Sequence, residues 1–335
     1  MTERLGVGSP WRAGACVALC VLAACGRQDG VIGVEPAAVG AGRTGSNGGA
    51  DAGGAPDAGG AAGATPPIPT FHADFAAKAG WSTGNNLPGS STEFGVAQAG
   101  TSDPGTAALS FPGHPEYGST QNAGADYVTE IASPQPFGFG TFRTRLAFGG
   151  CQPTEEAVNA ALGYFSDGSD ANNNGITDDE EIDLQVLCGT PQYLSLTVFT
   201  DYQLDSNGSE EFRKLSRVID FSNGDVYDSP SAEKEGFVKT TTSVAFVHPE
   251  LFAPGAFYEV GFEWHAASVR FFMLIDGADV TLWTLTDPAR IPQQPVTMVY
   301  NLWHPATHWY PAAGKAAFPA QPVVMHVDWF DYYAE

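Results

Sequence analysis

Apolar and polar side chains alternate with a period of two in short runs from residue 127 onward, and turn dipeptides separate the runs, so few folds are open to this chain. In Thr141 to Phe148, Phe142, Thr144, Leu146 and Phe148 share one face while Arg143 and Arg145 point to the other. That is how a strand with one buried face is written. Tyr127 to Ala132, Tyr193 to Thr200, Phe257 to Trp264, Val269 to Ile275, Pro295 to Trp303 and Val323 to Tyr332 are further short apolar or alternating runs. Asn207-Gly208, Asn223-Gly224 and Asp276-Gly277 supply hairpin turns between such runs. Thr154 to Leu162 has helical character, with Thr154 as a cap before Glu155 and Glu156. Many strands, few helices and no repeat predict an all-β sandwich of two antiparallel sheets.

The strands begin late because the first 69 residues are of another kind. Arg4 and Arg12 precede an apolar run from Ala13 to Ala24, too short to span a bilayer but the length of a signal-peptide core. It ends in Leu22-Ala23-Ala24-Cys25, the box that bacterial lipoprotein processing needs: small residues fit the peptidase, and the thiol takes the lipid. Residues 1–25 are therefore expected to be a lipoprotein signal ending at an acylated Cys25. Gly26, rather than an Asp, favours the outer membrane or cell surface. Residues 26–69 are nearly all Gly, Ala, Pro, Asp and Ser, have nothing to bury, and are read as a disordered tether. The domain is placed at 70–335.

Export bears on the cysteines. Cys16 and Cys20 leave with the signal, so Cys151 and Cys188 remain as one disulfide in an oxidising compartment, or as two buried thiols. From residue 70 onward there are 11 basic and 33 acidic residues, a formal charge of −22. So negative a domain repels nucleic acid and other polyanions and suits a small or neutral partner. Apart from the lipid, nothing calls for a membrane contact, and the chain is expected to be monomeric.

Two motifs meet between Ser166 and Gly189. Asp170-Ala-Asn172-Asn-Asn174-Gly175 sets oxygen side chains at alternate positions before a sharp turn, and Asp178 follows. Hard Ca²⁺ takes several such oxygens, so Asp170, Asn172, Asn174 and Asp178 are the candidate ligands of a structural calcium ion; a solvated Asx-rich turn is the other reading. Next comes Glu181-Ile-Asp183-Leu-Gln185-Val-Leu-Cys188. Alternation puts Ile182, Leu184, Val186 and Cys188 on the core face and Glu181, Asp183 and Gln185 in a row on the opposite face. Such a row is a solvated sheet face or, in a cleft, a set of groups that flank a sugar ring.

The row and its surroundings resemble glycoside hydrolase family 16, the laminarinase, lichenase and xyloglucan-transferase group on a concanavalin-like jelly roll. Glu181-Ile-Asp183-Leu-Gln185 is similar to the family's Glu-x-Asp-x-Glu signature. Tyr127-Val-Thr-Glu130-Ile131 and Phe137-Gly-Phe-Gly-Thr-Phe-Arg143 precede it; Phe262-Glu-Trp264, Val269-Arg-Phe271, Asp276-Gly277, Asn301-Leu-Trp303 and Val327-Asp-Trp329 follow in order. The resemblance covers most of residues 70–335. It implies a strand at Ala157 to Phe165 in place of the local helix. It also implies that Glu181 is the nucleophile and Asp183 its electrostatic helper. Gln185 stands where the family has its acid/base Glu and has no titratable proton to give. Glu181 is also the twelfth residue counted from Asp170, where a calcium loop puts its bidentate Glu; it is assigned to the cleft. Trp303, Trp309 and His304 are expected to line that cleft, with a place in the core as the other reading of Trp303. The implied partner is a neutral polysaccharide such as a β-1,3 or mixed-linkage glucan, hydrolysed, transferred, or, with Gln185 in place, only bound.

Overall fold

The computed structural model describes residues 67–85, 87–101, 105–114, 127–169, 179–200, 213–229, 237–244, 252–304 and 317–335. The expectations at Cys25, at Asp170, Asn172, Asn174 and Asp178, at Trp309 and at Asn207-Gly208 lie outside these residues. Among the described residues there is no α-helix, only a short 3-10 turn at Pro288–Arg290. No described helix is long and apolar enough to cross a membrane.

Two antiparallel sheets face each other in a jelly-roll sandwich. The first contains β1 (Phe71–Ala73), β3 (Ser91–Val96), β4 (Thr106–Phe111), β6 (Gly140–Ala147), β13 (Phe257–His265), β14 (Ser268–Ile275), β15 (Ala278–Leu285) and β17 (Val323–Ala334), in the order β15-β14-β13-β6-β17-β4-β3 with β1 also paired to β17. The second contains β2 (Ser82–Asn85), β5 (Tyr127–Phe137), β7 (Val158–Ser166), β8 (Asp179–Leu187), β9 (Tyr193–Thr200), β10 (Arg213–Asp220), β11 (Asp225–Asp228), β12 (Val238–Ser243) and β16 (Val296–His304), in the order β12-β11-β10-β9-β8-β7-β16-β5-β2. The chain crosses repeatedly between sheets, so strands distant in sequence become neighbours.

The alternation is realised residue by residue. Phe142, Thr144 and Leu146 face the core, whereas Arg143 and Arg145 face outward, where they pair with Asp279 and Asp328. Arg145 also lies over the Phe257 ring, 4.8 Å from its centroid. Inside, Phe137, Phe142, Phe262, Trp264, Phe330 and Tyr332 pack ring against ring. Tyr300 on β16 donates to Thr144 Oγ1 on β6 at 2.9 Å, a buried hydrogen bond that ties one sheet to the other. The turn between β14 and β15 is Asp276-Gly277, with φ of 51° and 80°. Both central residues are left-handed, as a two-residue hairpin turn requires.

The local helical reading of Thr154 to Leu162 is overturned. Its second half is β7, paired with β8 and β16 from Val158 onward. Val158 through Gly163 are buried on both faces of the sheet, so the segment shows no alternation and imitates a buried helix. Cys151 and Cys188 are joined by a disulfide, Cα to Cα 5.1 Å, tying the segment after β6 to the end of β8. Asn159 binds the same segment: its Oδ1 accepts from Gly149 N at 2.7 Å, and its Nδ2 donates to Gly149 O and Val186 O at 3.0 and 3.2 Å.

A candidate carbohydrate-binding face with a carboxyl pair

β8 lies between β7 and β9 in the middle of the second sheet. Ile182, Leu184 and Val186 belong to the core, so Glu181, Asp183, Gln185 and Leu187 stand on the face turned away from it. The start of the strand is pinned from the core side by Glu180, which is fully buried. Its Oε1 accepts from Thr200 Oγ1 at 3.0 Å, and its Oε2 accepts from the backbone N–H of Gln293 and Gln294 at 2.8 and 2.6 Å. This carboxylate fixes β8 to the segment that leads into β16, which supplies the other side of the face.

Strand register places the rest. Asp183 lies in a row with Thr197 and Ser216 on one side, and with Leu162, Val299 and Ala132 on the other. Gln185 lies in a row with Ser195, Ala160, Asn301 and Glu130; Glu181 lies in a row with Phe199 and Lys214 on one side and with Tyr164 on the other. Directly opposed residues in a sheet share a face, so all of these belong to one surface. Its middle is apolar, a cluster of Ala160, Leu162 and Val299 backed by Ala132 and Tyr164. Polar groups flank it. Thr197 and Ser216 hydroxyls are hydrogen-bonded at 2.9 Å on one side, and Asn301 Nδ2 donates to Glu130 Oε2 at 3.5 Å on the other.

The carboxyls here are strongly perturbed. Burial pushes Glu181 up to about 7; the Lys214 charge opposes this, Asp179 adds to it, and a hydrogen bond with Asp183 opposes it. Asp183 is held well above the usual carboxylate range, first by burial and then by the charge of Glu181, with Lys214 opposing. Two hydrogen-bonded carboxyls this dry do not ionise together, so the pair gives up its protons in two steps. Glu130 is raised by burial too, with the Asn301 amide opposing. Asp183 Oδ1 and Asn301 Oδ1 are buried oxygens with no hydrogen-bond partner among the described residues. Both can accept, so each is a buried acceptor that the described residues leave without a donor.

The structure brings Glu181, Asp183 and Gln185 onto one face and sets Trp303 there as well, buried with Val128, Val158 and Leu187 in the next row. His304 is not brought there. It is one residue further along β16 and so falls on the opposite side, with Nδ1 2.6 Å from Glu156 O and its ring 4.7 Å from that of Phe318. Among the described residues no group of three His, Cys, Asp or Glu side chains is placed to hold a metal ion. Lys214, Tyr164, Glu130 and Asn301 had no assigned role in the sequence. Only the polar positions inside apolar runs at Glu130 and Asn301 could have flagged them.

Fold and face define a class: an all-β jelly-roll sandwich with a buried carboxyl pair on the side of one sheet turned away from the core. No protein-family model matches the chain, and no curated protein sequence matches it. Among solved structures it is similar to a Bacillus licheniformis β-glucanase, with 17% identity over 79% of this chain and 98% of that one and a TM-score of 0.45. It is also similar to a prokaryotic β-1,3-1,4-glucanase (lichenase) from a mouse hindgut metagenome, with 14% identity over 79% and 99% of the two chains and a TM-score of 0.45. A third is the Crh5 transglycosylase, with 15% identity over 79% and 83% and a TM-score of 0.45.

Proposed function

We propose that this chain is a glycoside hydrolase family 16-like protein that acts on neutral β-glucans, with Glu181 as nucleophile and a reaction slowed by Gln185. The observation that carries the reading is the Glu181–Asp183 pair. Glu181 is raised only to about 7, so it ionises near neutrality, as a carboxylate nucleophile must. The apolar middle of the face suits the C–H side of a pyranose ring, and the unpaired acceptors on Asp183 and Asn301 suit its hydroxyls.

In the proposed step the ionised Glu181 carboxylate attacks the anomeric carbon while the bond from that carbon to the glycosidic oxygen breaks, and the leaving oxygen takes the electron pair. That oxygen needs a proton. Gln185 can donate an amide hydrogen bond to it but cannot transfer a proton, a loss of about 10²- to 10⁴-fold in rate. Glu130 does not replace it, because three strand spacings, about 14 Å, separate its Cα from that of Gln185. The missing proton favours a second reading, a glycan-binding protein that keeps the cleft and turns nothing over.

Gln185→Glu separates the two. It should raise release of reducing ends from a β-1,3 or mixed-linkage glucan by one to several orders of magnitude, and an activated glycosyl fluoride, which needs little protonation, should label Glu181 in the wild type. Glucan binding without labelling or a gain from Gln185→Glu would leave the binding protein standing. No binding of neutral glucan would leave only the fold.

A further inference from the structure

The cations on the described strands are nearly all committed. Arg143 pairs with Asp279, Arg145 with Asp328, Arg217 with Asp228, Lys239 with Asp225 and Arg270 with Glu263. Lys214 is in no ion pair within 4 Å with a described residue. It stands half-buried on β10, two strands from Glu181 and opposite Phe199, which is itself opposite Glu181. Two strand spacings are about 10 Å between Cα atoms, and a lysine stem laid along an aromatic ring covers much of that distance. Phe199 is buried on this face and forms the floor between them.

We propose that Lys214 is the cation that favours the ionised form of Glu181, and thereby sets the lower pH limit at which the face works as a nucleophilic site. The chemical role of Glu181 rests on the function proposed above; the coupling of Lys214 to it does not. Among the described residues, the titratable groups that face Glu181 are Asp179 and Asp183 on its own strand, Tyr164 on β7 and Lys214 on β10; β9 brings none beside it. Every partner except Lys214 is acidic or neutral, so Lys214 is the one described group whose charge favours the carboxylate. Its charge acts on Asp183 in the same sense, so the cation favours ionisation of the pair as a whole.

The experiment is a carboxyl ¹³C NMR titration of the intact protein, with Glu181 assigned by its loss in Glu181→Gln. For unit charges about 8 Å apart, at an effective dielectric between that of water and about 20, removing the cation should lower the Glu181 ionisation constant roughly three- to thirtyfold. Lys214→Met and Lys214→Gln should both move the Glu181 midpoint upward by that factor. Lys214→Arg should restore it to near the wild-type value. The acid limb of fluoride labelling should follow the NMR midpoint in each variant. An unmoved midpoint in folded Lys214→Met and Lys214→Gln overturns the proposal. A midpoint that moves in a protein never labelled by the fluoride upholds the coupling and removes the nucleophile reading alone.

Discussion

The Glu181–Asp183 pair works against the folded state at neutral pH. Burial raises Glu181 from an ordinary 4.5 to about 7, so the folded protein holds its proton more tightly than the unfolded chain does. The stabilisation linked to that proton is full below about 4.5 and is lost as pH rises through about 7. Glu181→Gln keeps the shape and removes the titration, so it should stabilise the domain at pH 8 by about 1–3 kcal/mol and do little at pH 4. Thermal melts at the two pH values measure this, at about 2–4 °C per kcal/mol for a domain of this size. A larger gain at pH 4 would show that the pair is not desolvated. Alternation alone displayed this row, because a period of two assigns faces within one strand without reference to any other. It also shows why His304 does not belong with Trp303: adjacent residues on a strand cannot share a face. Glu130, Asn301 and Lys214 were hidden for the converse reason. They reach the row only through the register of β5, β16 and β10, and pairing between distant strands is not written in any one of them.

Strands rich in β-branched and aromatic residues were legible at the level of the element. β9 spans the expected Tyr193 to Thr200, and β13, β14 and β16 differ from their expected runs by about one residue at an end. β7 was not legible from its own residues: it is buried on both faces and shows no alternation, and Asn159-Ala-Ala-Leu162 lacks the β-branched and aromatic residues that mark the equally buried β9. The resemblance to a known family supplied it instead. Short polar strands such as β2 and β12, at the two edges of the second sheet, gave no signal because they bury little. β8 carries the carboxyl pair and is held at both ends, by Glu180 at its start and by the disulfide just past its close. Cross-linking positions 37 residues apart limits the unfolded chain by about 3–4 kcal/mol in the loop-entropy model. Cys151→Ala/Cys188→Ala should lose that much stability in urea, with the slope of the transition raised by the freer unfolded state. An unchanged midpoint would mean that the cross-link does not form or does not constrain the chain.

For the molecule as a whole, the two sheets divide the labour. The first puts ion pairs and arginine–aromatic contacts on its outer face: Arg143 with Asp279, Arg270 with Glu263, and both guanidinium groups within 5.3 Å of the Phe272 ring centroid. The second leaves a carboxyl pair, a third raised carboxyl at Glu130 and unpaired acceptors on the side turned away from the core. With a formal −22 from residue 70 onward, the field around that side is negative at long range and acceptor-rich at short range. On the proposed reading, both properties disfavour uronate and sulfate groups relative to hydroxyls. Salt separates the two contributions, because it screens the long-range field within about 10 Å at 0.1 M but leaves contact hydrogen bonds in place. Calorimetric affinity for a neutral β-glucan hexasaccharide should therefore change less than about twofold between 20 and 500 mM NaCl. A carboxylated oligosaccharide of the same length should bind more weakly at low salt and recover only part of the difference at high salt, since the buried carboxyls at contact are not screened. Tighter binding of the acidic oligosaccharide at low salt would place a cation at the centre of recognition and overturn the assignment of a neutral ligand.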